Sequence, residues 1–279
     1  MLIKLNEFVF NCIQSFLLGI IQGITEFLPI SSTAHLKVVP YVLGWSDPGV
    51  SISASLQLGS ALAIILYFRS DISIIINSFF SILNHRRFFK DENTRLVTYI
   101  LLASFPILFI GLSFKLIWPG FSTSYFRSLY SIALVSIFMS ILLAISELHG
   151  KKKKLFADIK FIDIIWLGIS QSLAIFPGVS RSGITLTSAL FSGIERQTAA
   201  RLSFLIGIPA ITISGLVELF TLCRTSSIID ILPTLIGIIS SFFSSIIAID
   251  LFIKFLKNNN TFIFVYYRVA FGFFVLSIL

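Results

Sequence analysis

The chain has 279 residues, 56% of them hydrophobic and only 12% charged, with a net charge of +8 and a mean hydropathy of +0.96. Soluble domains carry about 25% charged residues, so this chain lacks the side chains to coat a surface in water and is read as a single integral membrane domain, 1–279. Its surplus cations do not indicate nucleic acid, because they cluster at the ends of apolar runs: Arg86, Arg87, Lys90 and Arg95, then the lysines of 151–154 and Lys160. That is the positive-inside pattern, with anionic lipid as the neighbour.

Taking both basic loops as cytoplasmic sets the direction of every segment. Residues 8–28 form an apolar arm that Pro29 halts, 36–43 form a second arm, and 29–35 are the tip between them. The N-terminus does not read as a cleaved signal: Lys4 is its only early cation, Glu7 and Asn11 interrupt it, and no small-residue cleavage site follows. Residues 50–68 run inward to Arg69, and 71–83, with interleaved Ser and Asn, read as an interfacial helix. Residues 98–117 cross outward, 118–124 turn outside, and 129–148 return. Arms 162–176 and 184–194 are short for the ~17–25 residues of a full span, so they predict a re-entrant hairpin with its irregular tip at 177–183 buried in protein. Residues 203–220 then cross outward, 228–253 return, and 262–279 cross outward again.

The expected fold is an all-α polytopic membrane protein built as an inverted repeat, with halves at about 1–150 and 158–279. Each half holds one re-entrant helical hairpin plus about three transmembrane helices. The hairpins open alike, with Leu18-Gly-Ile-Ile-Gln22 in one and Leu167-Gly-Ile-Ser-Gln171 in the other. Cys12 and Cys223 are read as small core hydrophobes rather than a bridge or a metal pair.

Polar groups at membrane depth are costly and mark a functional site. In the second tip, Ser180 or Ser182 can cap the next arm, whose free amides then favour an anion. Arg181 offers a planar fork for phosphate oxygens, Gly183 permits close backbone approach, and Thr185 shares a helical face with Arg181. In the first tip, Ser31 or Ser32 can begin the next arm, with Thr33 beside them. Ser32 and His35 would share a face, as a nucleophile next to a base. His35 could equally attack phosphorus, protonate a leaving group or be a satisfied core histidine. Glu26 suits a base, a divalent-cation ligand or the counter-ion of Arg181. The collection fits an anionic phosphate group, and nothing matches a Walker loop, a dinucleotide fingerprint or a zinc spacing.

Gly19-Ile-Ile-Gln-Gly-Ile-Thr-Glu-Phe-Leu-Pro-Ile-Ser-Ser-Thr-Ala-His35 and Pro177-Gly-Val-Ser-Arg-Ser-Gly-Ile-Thr185 resemble the two signature motifs of bacterial undecaprenyl-diphosphate phosphatases, the bacitracin-resistance family. Gln57-Leu-Gly-Ser-Ala-Leu-Ala63, Ser203-Phe-Leu-Ile-Gly-Ile-Pro209 and Tyr267-Arg-Val269 are similar to flanking strings of that family, and the resemblance covers essentially the whole chain. It implies hydrolysis of undecaprenyl diphosphate to the monophosphate and phosphate in the bacterial plasma (inner) membrane. This would recycle the carrier lipid of peptidoglycan synthesis at a site open to the outer face. By the same resemblance Glu26, Ser31, Ser32, His35, Ser180, Arg181, Ser182 and Thr185 correspond to site residues, with Arg181 on the diphosphate. The expected catalytic set is Glu26, Ser32, His35 and Arg181; Gln22, Ser31, Thr33, Ser180, Ser182, Gly183 and Thr185 bind substrate. The attacking atom (Ser32, His35 or water) stays open, as does a homo-oligomer.

Two departures stand out. The family usually carries a second glutamate where this chain has Gln22, and a glycine where it has Ala34. An amide at Gln22 weakens any binding of magnesium or calcium through Glu26, and the sequence leads to the expectation that Gln22→Glu raises turnover. On topology alone, a transporter or lipid flippase for an anionic polyprenyl phosphate is the competing reading.

Overall fold

The computed structural model describes residues 2–85, 91–118, 120–121, 124–225 and 228–279. Eleven helices are named among them: α1 Leu2–Phe27, α2 Ser32–Val42, α3 Gly49–Tyr67, α4 Arg69–His85, α5 Glu92–Ile117, α6 Leu129–His149, α7 Phe161–Ser172, α8 Arg181–Phe191, α9 Arg196–Thr225, α10 Ile228–Asn258 and α11 Phe262–Ser277. Six segments are long and apolar enough to cross a bilayer: Asn6–Phe27, α3, α5, α6, α9 and Ile231–Asn258. Many large apolar side chains point outward from the bundle, Phe105, Phe243 and Ile117 among the most exposed of them. Such a surface belongs in lipid, so this is a multi-pass membrane protein.

The hairpins differ more than expected. The first arm, α1, is 26 residues and is itself long enough to span, whereas α7 is only 12 and ends in a short 3₁₀ turn, Leu173–Ile175. At the other end α11 has 16 residues and is one of the shorter apolar helices rather than one of the six longer candidate spans. Helix α5 starts six residues before 98 because Asp91 caps it, accepting the Thr94 amide at 2.8 Å in a capping box. The cysteines are free, and Cys223 is exposed rather than a core residue, with Cys12 only part-buried. Arg86, Arg87 and Lys90 of the first basic loop, and Pro119, Ser122 and Thr123 of the external turn, lie outside the described residues.

Packing ties the halves together reciprocally. The first hairpin's α1 lies against α10, and the second hairpin's α7 lies against α5. Close approach comes from small residues, as in membrane helix pairs generally. A Cβ on Gly19 would meet the Ser240 side chain and Gly237 carbonyl, and one on Gly23 would meet Ser244. In the other half Gly168 sits against the backbone of Ala103. The α3·α9 and α6·α11 pairs complete the exchange. A continuous core including Phe27, Ile64, Leu143, Leu167, Leu186 and Phe204 surrounds the inner ends of both hairpins.

Candidate active site

Each hairpin bends at a serine with left-handed backbone: Ser31 at φ 74° and Ser180 at φ 70°. Outside glycine this conformation is strained by about 1–3 kcal/mol and persists where the surroundings over-determine it, typically at functional sites. Ser180 caps α8 by accepting the Gly183 amide at 3.1 Å. Ser31 makes no such cap; its hydroxyl meets Thr33 Oγ1 at 3.2 Å. The residue after each bend opens a helix, Ser32 in α2 and Arg181 in α8, and these two converge on one group.

That group is the buried carboxylate of Glu26. Its Oε2 accepts from Ser32 Oγ at 2.7 Å and from Gln22 Nε2 at 2.9 Å, while Oε1 accepts from Arg181 Nη2 at 2.9 Å. Ser182 Oγ donates to the Glu26 carbonyl at 2.9 Å and lies 3.2 Å from Ser180 Oγ, so the second bend is stitched to the end of α1. Arg181 also donates from Nη1 to the Ser203 carbonyl at 3.2 Å, and its Nε–H has no partner among the described residues. Thr185 Oγ1 bonds the Arg181 carbonyl at 2.8 Å and contacts Ser203 Oγ. The Glu26–Arg181 ion pair anticipated as a counter-ion is therefore present, with the carboxylate side chain 5% exposed.

His35 stands apart from this node. Its Nδ1 lies 2.8 Å from the Ser31 carbonyl and its Nε2 2.7 Å from the Tyr267 hydroxyl. Both ring nitrogens are thus engaged away from Ser32, and the expected Ser32–His35 pair is replaced by Ser32–Glu26. The reason is geometric: at the start of a helix, the Ser31 carbonyl is where a side chain four residues on can reach it.

Two residues beyond the expected set shape the site. Arg268 of α11, 1% exposed, donates to the carbonyls of Pro29 (3.1 Å), Val179 (3.2 Å), Gly178 (2.7 Å) and Ser136 (3.2 Å). It fastens the two bends to each other through backbone oxygens alone. With Arg181 balanced by Glu26, Arg268 leaves the site one positive charge in surplus, which favours an anion. Gly207 of α9 makes room for the Arg181 guanidinium, since a Cβ there would overlap it. A lone arginine in the apolar run of α11 was the available signal for Arg268, by the same cost argument that singles out Arg181.

A divalent cation does not fit this arrangement. Glu26 is the sole carboxylate of the set, its two oxygens already accept three hydrogen bonds, and a guanidinium sits against it. No cluster of three acidic, histidine or cysteine side chains suited to a metal occurs among the described residues.

Residues 15–274 match the family model of the bacitracin resistance protein BacA. The chain belongs to that family. It is 68% identical over 276 residues to an undecaprenyl-diphosphatase of Prochlorococcus marinus (strain NATL1A), covering 99% of both chains. It is 47% identical over 264 residues to an undecaprenyl-diphosphatase of Synechococcus sp. (strain WH7803), covering 95% of this chain and 92% of that one. Within this BacA-family chain the matched span holds both bends, Glu26, Arg181 and Arg268, so family membership and site geometry concern the same residues.

Proposed function

We propose that the chain hydrolyses undecaprenyl diphosphate to undecaprenyl phosphate and inorganic phosphate, the activity for which its relatives are named. The observation that carries this reading is Glu26 bonded at once to a hydroxyl from one bend and a guanidinium from the other. A carboxylate 2.7 Å from Ser32 Oγ is a base in place. A guanidinium beside it, with Nε–H unpartnered, is a phosphate fork in place. The substrate's long apolar chain suits the bilayer in which both bends are embedded.

In the proposed reaction Ser32 Oγ attacks the terminal phosphorus while its proton passes to Glu26. The bond from that phosphorus to the bridging oxygen breaks, that oxygen takes the proton from Glu26, and undecaprenyl phosphate departs. A water then attacks the phosphoserine, losing a proton to the freed Glu26 carboxylate. Phosphate leaves as Ser32 recovers a proton from Glu26, while His35, held by the Ser31 carbonyl and the Tyr267 hydroxyl, keeps the first bend in place. Arg181 and the surplus charge of Arg268 offset the negative charge that gathers on the transferring group. Gln22, Ser31, Thr33, Ser180, Ser182, Gly183 and Thr185 hold these groups or meet the headgroup. No step passes through a metal ion.

The reading places the protein in the bacterial plasma membrane among anionic lipids, with the lysines of 151–154 and Lys160 on the cytoplasmic side and the site open to the outer face. There it recycles the carrier lipid of peptidoglycan synthesis and confers bacitracin resistance. A homo-oligomer is compatible with this reading. Phosphate release from undecaprenyl diphosphate by the purified chain in detergent tests the proposal: release is expected from the unmutated chain and its loss in Ser32→Ala. No release, together with lipid movement across vesicles, would replace the hydrolase with a flippase.

A further inference from the structure

Beyond the bends stand two cations that the proposed reaction does not use. The first is Lys37 of α2. Thr33, Lys37 and Tyr41 are spaced four apart on that helix and share one face. It is the open face of an otherwise buried helix: Thr33 and Lys37 are half-buried and Tyr41 is 50% exposed, whereas Ala34, Leu36 and Val38 are buried. The face runs from the bend at Ser31, whose hydroxyl meets Thr33, to the loop that follows α2. Lys37 comes five residues after Ser32, about 7.5 Å further along the helix axis.

The second cation is Arg127, in a short 3₁₀ turn, Tyr125–Arg127, just before α6. Aromatic rings hold this turn against the second bend: Phe126 and Phe121 pack edge-on with Phe176, the residue before Pro177, at centroid distances of 5.4 and 5.9 Å. The start of α6 also packs on α2, through Leu129 and Ala133 against Val38. Asp47, in the loop after α2, links the two cations. Its Oδ2 is 3.6 Å from Lys37 Nζ, and its charge reaches Arg127. Neither cation is committed there. The Lys37–Asp47 contact is long and partly exposed, a kind of pair worth little. The Arg127 guanidinium has no hydrogen bond or ion pair among the described residues.

Outer ends of membrane helices are poor in cations, so two of them sharing one aspartate beside the bends call for a reason. The substrate supplies it, because it carries two phosphates and Arg181 serves only the terminal one. In-line transfer places the leaving phosphate on the far side of the attacked phosphorus from Ser32 Oγ. We infer that Lys37 and Arg127 form a second phosphate subsite, which takes the lipid-side phosphate and makes the site select diphosphates over monophosphates. The inference rests on the hydrolase reading and its outward-opening orientation. Helical side chains lean toward the N-terminal end of their helix, here the bend. The flexible Lys37 stem therefore lets its ammonium exchange Asp47 for the headgroup.

Steady-state phosphate release from undecaprenyl diphosphate by the full-length chain in detergent tests this, with pyrophosphate and inorganic phosphate as inhibitors. Lys37→Gln and Arg127→Gln are each expected to weaken inhibition by pyrophosphate roughly tenfold, the scale of one charge-assisted hydrogen bond, and to leave inhibition by phosphate within about twofold. Their kcat/KM for the lipid should fall in step with pyrophosphate inhibition. Asp47→Asn keeps an acceptor for the Gly49 amide, which Asp47 Oδ1 holds at 2.8 Å, and removes the competing charge. That variant is expected to lower KM. Unchanged pyrophosphate inhibition in either glutamine variant, equal weakening of phosphate and pyrophosphate, or a KM in Asp47→Asn at or above the unmutated value would overturn the inference. Absence of phosphate release from the unmutated chain would overturn the hydrolase reading instead. Calorimetric titration of the same chains with pyrophosphate and phosphate then reads the subsite by itself, and a pyrophosphate preference lost in Lys37→Gln would uphold it.

Discussion

Ser32 and Arg181 lie 149 residues apart in sequence, yet each opens the helix after its bend, and they bond the two oxygens of a single carboxylate, Glu26. Repeat-related positions thus carry opposite chemistries, a hydroxyl in one half and a cation in the other. A symmetric scaffold builds an asymmetric site, and the consequences can be measured residue by residue.

Removing Arg181 strands a buried negative charge. Arg181→Ala is expected to cost about 3–5 kcal/mol of stability and to abolish measurable phosphate release. The double variant Glu26→Gln/Arg181→Ala, which removes both charges, should recover much of the stability and none of the activity. Thermal unfolding in detergent, run beside the release assay, separates the two effects.

Gly207 tests the same ion pair from behind. A methyl group there must displace the guanidinium, so Gly207→Ala is expected to lower kcat by about 10²-fold, the scale of a lost charge-stabilising donor. The guanidinium stays in the structure, so Tm should fall less than in Arg181→Ala. A variant with full activity would show that Arg181 does not need its present position.

The strained bend makes an ordering prediction. Ser31 has φ 74° and its hydroxyl bonds only Thr33, so glycine should be accommodated there and a β-branched residue should not. Thermal stability is expected to run Ser31→Gly at or above the unmutated chain, and Ser31→Val lower by at least about 1 kcal/mol.

Gln22 donates at 2.9 Å to the oxygen of Glu26 that also holds Ser32. Gln22→Glu would set two carboxylates against each other, a pair that needs a proton or a cation between them. Turnover by that variant is expected to rise on adding magnesium or calcium and to fall below the unmutated chain in chelator. The unmutated chain should respond little to either addition. Calcium or magnesium titrations of both chains check this.

Much of the site was legible in the sequence because its markers are local. Pro29 and Pro177 each follow the end of an arm, and serine-rich strings after them begin new helices, so both bends and their serine starts were visible. Polar and charged groups within apolar runs exposed Glu26, His35 and Arg181. Pairing was harder to read. His35 finds its hydroxyl partner 232 residues away, and a spacing argument that looked only nearby chose Ser32 instead. Arg268 serves both bends through carbonyl oxygens, which no side-chain motif advertises. The ends of α1 and α11 differ from the sequence bounds, α1 beginning at Leu2 rather than at 8 and α11 ending at Ser277.

Glu26→Gln offers the most direct test, because it keeps the size and hydrogen-bonding reach of the side chain while removing the charge. In phosphate release from undecaprenyl diphosphate, this variant is expected to lose at least about 10²-fold in kcat, the scale of a lost acid–base group, while remaining folded. A Glu26→Gln chain that turns over the lipid at the unmutated rate would contradict the account.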